Sequence, residues 1–146
     1  MTDVVVRRFI PVSRERAFAA WLNPASLVQW MLPGDVTNAN VEADPRVGGA
    51  FRIVMEHGGS GADHWGEYVT IEPPSLLSFT WISAATDRLS TTVTIEFYER
   101  DGGTELVLTH RGLPPSKVAS HQGGWGDIVR KMGESVSGQS ARQSPG

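Results

Sequence analysis

Proton chemistry in an apolar site calls for a carboxyl, a phenol or an imidazole held out of water, and Glu67, Tyr68 and His110 are the residues of this chain suited to it. Glu67 shares strand parity with Trp65, Val69 and Ile71, which turns it toward the same side as those apolar side chains. An inward carboxyl is stripped of water, a state suited to acid–base work or to gripping the polar end of a ligand. A bulge near Gly66 would reverse that parity, putting Glu67 in solvent and Tyr68 inside, because glycine within a strand often marks such an irregularity. His110 shares parity with Leu106 and Leu108 and reads as inward near a strand end, either as a base or as a hydrogen-bonded histidine. His121 falls early in a C-terminal helix, at a pocket mouth or in water.

Other chemistries find less support. His57 and His64 flank one hairpin turn with Glu56 and Asp63 beside them. No compact pair of the HExxH kind is present and no third ligand is set by spacing, so no metal site is assigned. The run Gly58-Gly59-Ser60-Gly61 is followed by neither a Lys-Ser/Thr pair nor a helix start, so it is not a phosphate loop. No serine occupies a G-x-S-x-G elbow. Cysteine is absent, which removes disulfides, thiolate zinc sites and thiol nucleophiles, and fits a reducing compartment. No cofactor is indicated. Arg52 and Arg88 suit a carboxylate, although arginine on the mixed face of a strand is usually solvated.

Composition narrows the partners. The 13 Lys and Arg are scattered among 16 Asp and Glu for a net charge of −3, and only Arg7-Arg8 and Arg130-Lys131 are adjacent basic pairs. That is no footprint for nucleic acid. No stretch approaches the ~18 apolar residues of a membrane span, and Met1 to Ile10 has no signal-peptide pattern, so the expected location is the cytoplasm. Five tryptophans in 146 residues supply large apolar areas with one polar handle each, suited to a large core or to a ligand pocket.

The elements that must position these residues follow from periodicity. Thr2 to Ile10 reads as a strand rich in β-branched residues and stopped by Pro11. Ser13 caps a short helix whose Phe18, Trp21 and Leu22 form one apolar stripe, and Asn23-Pro24 starts a second that closes at Pro33-Gly34. From Val36 to Arg111 the period becomes two. Phe51, Ile53 and Met55 alternate with Arg52, Val54 and Glu56, and Leu77, Phe79 and Trp81 with Ser78 and Thr80. Val93, Ile95 and Phe97, then Leu106 and Leu108, continue the pattern, and Pro73-Pro74 and Asp101-Gly102-Gly103 mark turns. This predicts an antiparallel sheet of about seven strands covered on one side. A final helix from about Ser116 to Ser135 carries Val118, Trp125, Val129, Met132 and Val136 on one stripe. Gly123, Gly124 and Gly126 imply either a break in it or a close approach to the sheet. Residues 1–136 are expected to form one domain, followed by a disordered tail over 137–146, rich in Ser, Gly and Gln.

The order βααββββββα with a long terminal helix resembles the helix-grip fold of the START-like, or SRPBCC, superfamily. Four blocks are similar to the branch containing the C-terminal domain of activators of the heat-shock-protein ATPase. They are AFAAWLNPASLVQWMLP (Ala17–Pro33), RVGGAFRIVM (Arg46–Met55), GEYVTIEPPSLLSFTW (Gly66–Trp81) and Gly124-Trp125. Trp30-Met31 stands where many relatives have two aromatic residues. The resemblance implies an α+β fold in which a curved sheet wraps a C-terminal helix, with a hydrophobic cavity between them, and it carries over no shared catalytic set. On that expectation the cavity lining is Trp30, Phe51, Ile53, Met55, Trp65, Glu67, Tyr68, Phe79, Trp81, Phe97 and Trp125; the alternative is that these residues simply fill a core. The leading expectation is a binding or carrier domain for a small apolar molecule. The alternatives are an enzyme of the same fold acting on an aromatic or polyketide-like substrate through Glu67, His110 and Tyr68, or a co-chaperone-like interaction module. An exposed sheet edge would also suit a homodimer.

Overall fold

The first strand, β1 (Val4–Ile10), ends at Pro11, and the helix that follows begins where its cap says it should. The computed structural model describes residues 3–143, with side chains placed through residue 138. Ser13 Oγ accepts the Arg16 amide at 3.2 Å to open α1 (Arg14–Ala20). Asn23 Oδ1 accepts the Ala25 amide at 3.0 Å to open α2 (Pro24–Trp30), with Pro24 in the first turn where a missing N–H costs nothing. The short helices bury Phe18, Trp21, Leu27 and Trp30, and Trp21 meets Trp30 edge to face at 4.7 Å.

Six strands come next: β2 (Asn38–Ala43), β3 (Ala50–His57), β4 (Ser60–Glu72), β5 (Leu76–Ser83), β6 (Thr91–Arg100) and β7 (Gly103–Arg111). With β1 they make one curved, open, seven-stranded antiparallel sheet in the order β1-β7-β6-β5-β4-β3-β2. Period-two alternation sends Phe51, Ile53 and Met55, then Phe79 and Trp81, then Val93, Ile95 and Phe97, then Leu106, Leu108 and His110, to the inner face. Outer-face neighbours are polar, as with Arg52, whose guanidinium holds both Asp63 carboxylate oxygens at 2.7 and 3.0 Å.

Strand β4 departs from the simple alternation. His64, Gly66 and Tyr68 face inward, while Trp65 is half-buried on the outer side and Glu67 and Val69 are exposed. The register against β5 shifts between Tyr68 and Thr70, so one extra residue at Val69 lets Ile71 pack inward again. Parity counted back from Ile71 therefore gives the wrong face for everything before the bulge. The irregularity sits at Val69 rather than at Gly66. Gly66 is required for packing: a Cβ there would lie 2.0 Å from the Thr80 carbonyl oxygen and 2.8 Å from the Phe51 ring.

The terminal helix, α3 (Val118–Gln143), runs unbroken through Gly123, Gly124 and Gly126. It continues past Ser135, so the boundary expected at Val136 falls inside it, and residues 144–146 lie outside those described. Trp125, Ile128, Val129, Met132 and Val136 form its buried stripe against β1 and α2. Polar ties hold it in place: Gln122 Nε2 donates to the Val5 carbonyl at 3.0 Å, the Gly34 amide to Asp127 at 2.9 Å, and Lys131 to the Leu32 carbonyl. No helix among the described residues is long and apolar enough to cross a membrane.

Candidate functional site

Between β5 and the first turns of α3 the packing opens into a cleft of about 190 Å³. Met55 of β3, His64 of β4 and Trp81 of β5 form the sheet side. Ser120, His121, Gly124, Trp125 and Ile128 form the helix side, and Pro33 and Ala85 close the ends. The positions follow from the elements: His64 and Trp81 are inward on adjacent strands with rings 5.0 Å apart, and residues 121, 124, 125 and 128 share one helical face. Trp81 and Trp125 touch at 5.0 Å and make one continuous aromatic wall.

A second hollow lies on the other side of Trp81, bordered by Trp21, Met31, Phe51, Ile53, Tyr68 and Phe79. Its volume is about 20 Å³, room for about one water. Trp21 borders it and has a buried indole N–H with no partner among the described residues. Around Phe51, Tyr68 and Phe79 the space between sheet and helices is thus nearly filled, and it opens again at the α3 cleft.

Behind the cleft wall the chain holds a buried polar relay. Trp125 Nε1–H lies 2.9 Å from His110 Nδ1, and an indole nitrogen only donates, so Nδ1 accepts. Thr91 Oγ1 lies 2.5 Å from the Trp81 carbonyl, to which it donates, and 2.7 Å from His110 Nε2, from which it accepts. His110 is therefore the neutral tautomer protonated on Nε2. Burial, reinforced by the nearby His121, lowers its pKa to about 3. Burial also lowers the pKa of His64, against the opposing pull of the Ala62 and Ile53 carbonyls.

The acid–base trio expected from the sequence does not converge. Glu67 is on the outer face, its amide donating to Thr80 Oγ1 at 2.9 Å, beside Trp65, over which the Arg88 guanidinium lies at 6.0 Å. Both residues are removed from the expected lining, for the parity reason given above. Tyr68 is inward but packs with Phe51 at 5.5 Å and Phe79 at 6.4 Å, and burial, then the Asp44 charge, pushes its pKa up to about 12. His110 is inward but sits behind Trp125 rather than at the surface of the cleft.

Of the remaining lining residues expected, Met55, Trp81 and Trp125 border the cleft, while Phe51, Ile53 and Phe79 border the small hollow. Trp30 is core, its Nε1 donating to Ser26 Oγ at 3.0 Å, and Phe97 is core against Phe18 at 5.2 Å. Sequence reasoning passed over His64 as a wall residue, together with Pro33, Ala85, Ser120, Ile128 and Thr91. Ile128 was detectable, one helical turn from Trp125. Counting back from the Asp101-Gly102 turn pairs Thr92 with Arg111, which brings Thr91 near His110. Among the described residues no three His, Cys, Asp or Glu side chains gather to hold a metal ion.

A family model described as activator of Hsp90 ATPase homolog 1-like protein matches residues 11–137. Among curated proteins none matches the sequence. Among solved structures the chain is similar to the AHSA1 protein of Silicibacter pomeroyi, with 26% identity, a TM-score of 0.79, and 94% of this chain and 99% of that one covered. It is also similar to an AHSA1-like protein of Aeromonas hydrophila, at 22% identity, TM-score 0.77 and 99% coverage of both chains. A protein of Nitrosomonas europaea shares the fold at 20% identity and TM-score 0.81, with 95% of this chain and 96% of that one covered.

Proposed function

We propose that this chain, which belongs to the family of activator of Hsp90 ATPase homolog 1-like proteins, binds a small aromatic molecule in the cleft between β5 and α3. The observation that carries the reading is the cleft itself, at about 190 Å³ and walled by Trp81, Trp125, Met55 and Ile128. Size decides the class of occupant. An engineered apolar cavity of about 150 Å³ holds benzene, whereas drug-sized ligands need about 300 Å³ or more. One ring fits within it; a fused polyketide would project out of it. The expectation of an enzyme working through Glu67, Tyr68 and His110 loses its support, because the three do not share a space.

Gly124 offers a clean test. It borders the cleft, and a Cβ there would meet only Pro33 Cβ, at an ordinary 3.6 Å. Gly124→Leu therefore fills the cleft while improving helix propensity. In wild type, toluene or phenol raises the melting temperature with concentration, as linkage requires. Gly124→Leu melts no lower than wild type and loses that response. Undiminished stabilisation of the variant by both rings would place binding elsewhere and overturn the reading.

A further inference from the structure

The hydrogen bonds around the cleft constrain the polar group that its occupant carries. Ser120 Oγ donates to the Lys117 carbonyl at 3.1 Å, and His121 Nδ1 donates to the same carbonyl at 2.8 Å. A carbonyl only accepts, so the hydroxyl hydrogen and the Nδ1 hydrogen are both committed to the backbone. In a neutral imidazole His121 is left with a lone pair on Nε2, and Ser120 with the lone pairs of Oγ. Nε2 has no hydrogen-bond partner among the described residues. His64, the third polar residue of the wall, directs its Nδ1–H to the Ala62 carbonyl at 3.1 Å. No Lys, Arg, Asp or Glu lines the cleft. The wall therefore carries no charge and presents lone pairs on His121 and Ser120, while the Trp81 indole N–H, which has no acceptor among the described residues, is a free donor.

An uncharged wall with these lone pairs selects among one-ring molecules. A carboxylate would set an oxygen against the His121 lone pair, and no Lys or Arg in the wall balances its charge. An ammonium brings donors, but no carboxylate in the wall balances its charge, and burying an unpaired ion is costly. A neutral hydroxyl on the ring satisfies the wall.

We propose that the cleft selects a phenol-type ligand, its ring against Trp81 and Trp125 and its hydroxyl donating to His121 Nε2, with Ser120 Oγ as a second acceptor. This rests on the one-ring reading above, and the experiment separates the two. Isothermal titration calorimetry at pH 8 compares phenol with toluene, its near-isostere lacking the donor, and with benzoate. Phenol is expected to bind about tenfold more tightly than either, because a toluene would cover the half-buried His121 acceptor without pairing it. His121→Leu should lower phenol affinity about tenfold and leave toluene within about twofold. Toluene or benzoate binding as tightly as phenol would overturn the donor assignment while leaving the one-ring reading standing. Failure of all three to bind would overturn both. A phenol preference unchanged in folded His121→Leu, with circular dichroism as the check on folding, would remove His121 as the acceptor. The comparison of ligands on wild type decides the donor assignment even if that variant does not fold.

Discussion

At His110 the hydrogen-bond pattern leaves one tautomer, since Trp125 Nε1 only donates and the Trp81 carbonyl only accepts. Protonating Nδ1 would break the bond to Trp125 and put a charge in a fully buried ring. The sign of the pH dependence follows. Folded His110 has its pKa lowered to about 3, against about 6.5 in an unfolded chain. Below pH 6.5 the unfolded state takes up a proton that the folded state does not. Stability contributed by this residue is complete above pH 6.5 and is lost as pH falls toward 3, by about 1.4 kcal/mol per unit at most. Urea melts of wild type at pH 7 and pH 4.5 should show that loss. His110→Leu should be less stable at pH 7 by about 2 kcal/mol, because Trp125 and Thr91 lose their partner, yet should show a shallower acid slope. A slope equal to that of wild type would mean that His110 is not the titrating group. His64 contributes in the same direction, so the slope is reduced rather than abolished. That His110 points inward was legible from its parity with Leu106 and Leu108. Thr91 was within reach of a count along the β6–β7 hairpin, but Trp125 was not, because it reaches the ring through tertiary packing from α3.

At the scale of elements, the caps, turns and period-two strands were legible because each is written in a few adjacent residues: Ser13, Asn23-Pro24, Asp101-Gly102 and the run from Phe51 to Met55. The face of β4 was not. One extra residue at Val69 reverses the sides of Trp65 and Glu67, and neither residue signals it; only the ladder with β5 does. The glycines of α3 are the other case. They suggested a break or a close approach, but α3 is continuous, and a Cβ at Gly123 would have no heavy atom within 4 Å. Gly123 therefore costs helix stability with no packing return. Gly123→Ala should stabilise the protein by up to about 1 kcal/mol in chemical denaturation. A destabilisation would show that α3 bends or opens at that turn.

For the whole molecule, order and topology were readable because seven strands and three helices leave few ways to cover one apolar face, and the four sequence blocks resemble a known arrangement. The amount of empty space was not readable. The same aromatic residues that would line a large cavity here mostly fill it. Phe51, Tyr68 and Phe79 close on one another around about 20 Å³, and Trp30 and Phe97 are wholly core. What stays open is set by how α3 stands off β5 beside Gly124 and Pro33, a consequence of packing rather than residue type. The resulting picture is a helix-grip domain whose aromatic centre is nearly filled and which has a ring-sized opening near the start of its terminal helix.

An aromatic ring bound in this opening lies against the Trp81 and Trp125 indoles. Two-dimensional proton–nitrogen NMR of the five indole N–H groups during titration with phenol tests it most directly. Progressive, saturable shifts are expected for Trp81 and Trp125, from ring currents at the cleft wall, with the Trp65 signal on the outer face of the sheet unmoved. Shifts centred on Trp65, or none at any indole at millimolar ligand, would contradict it.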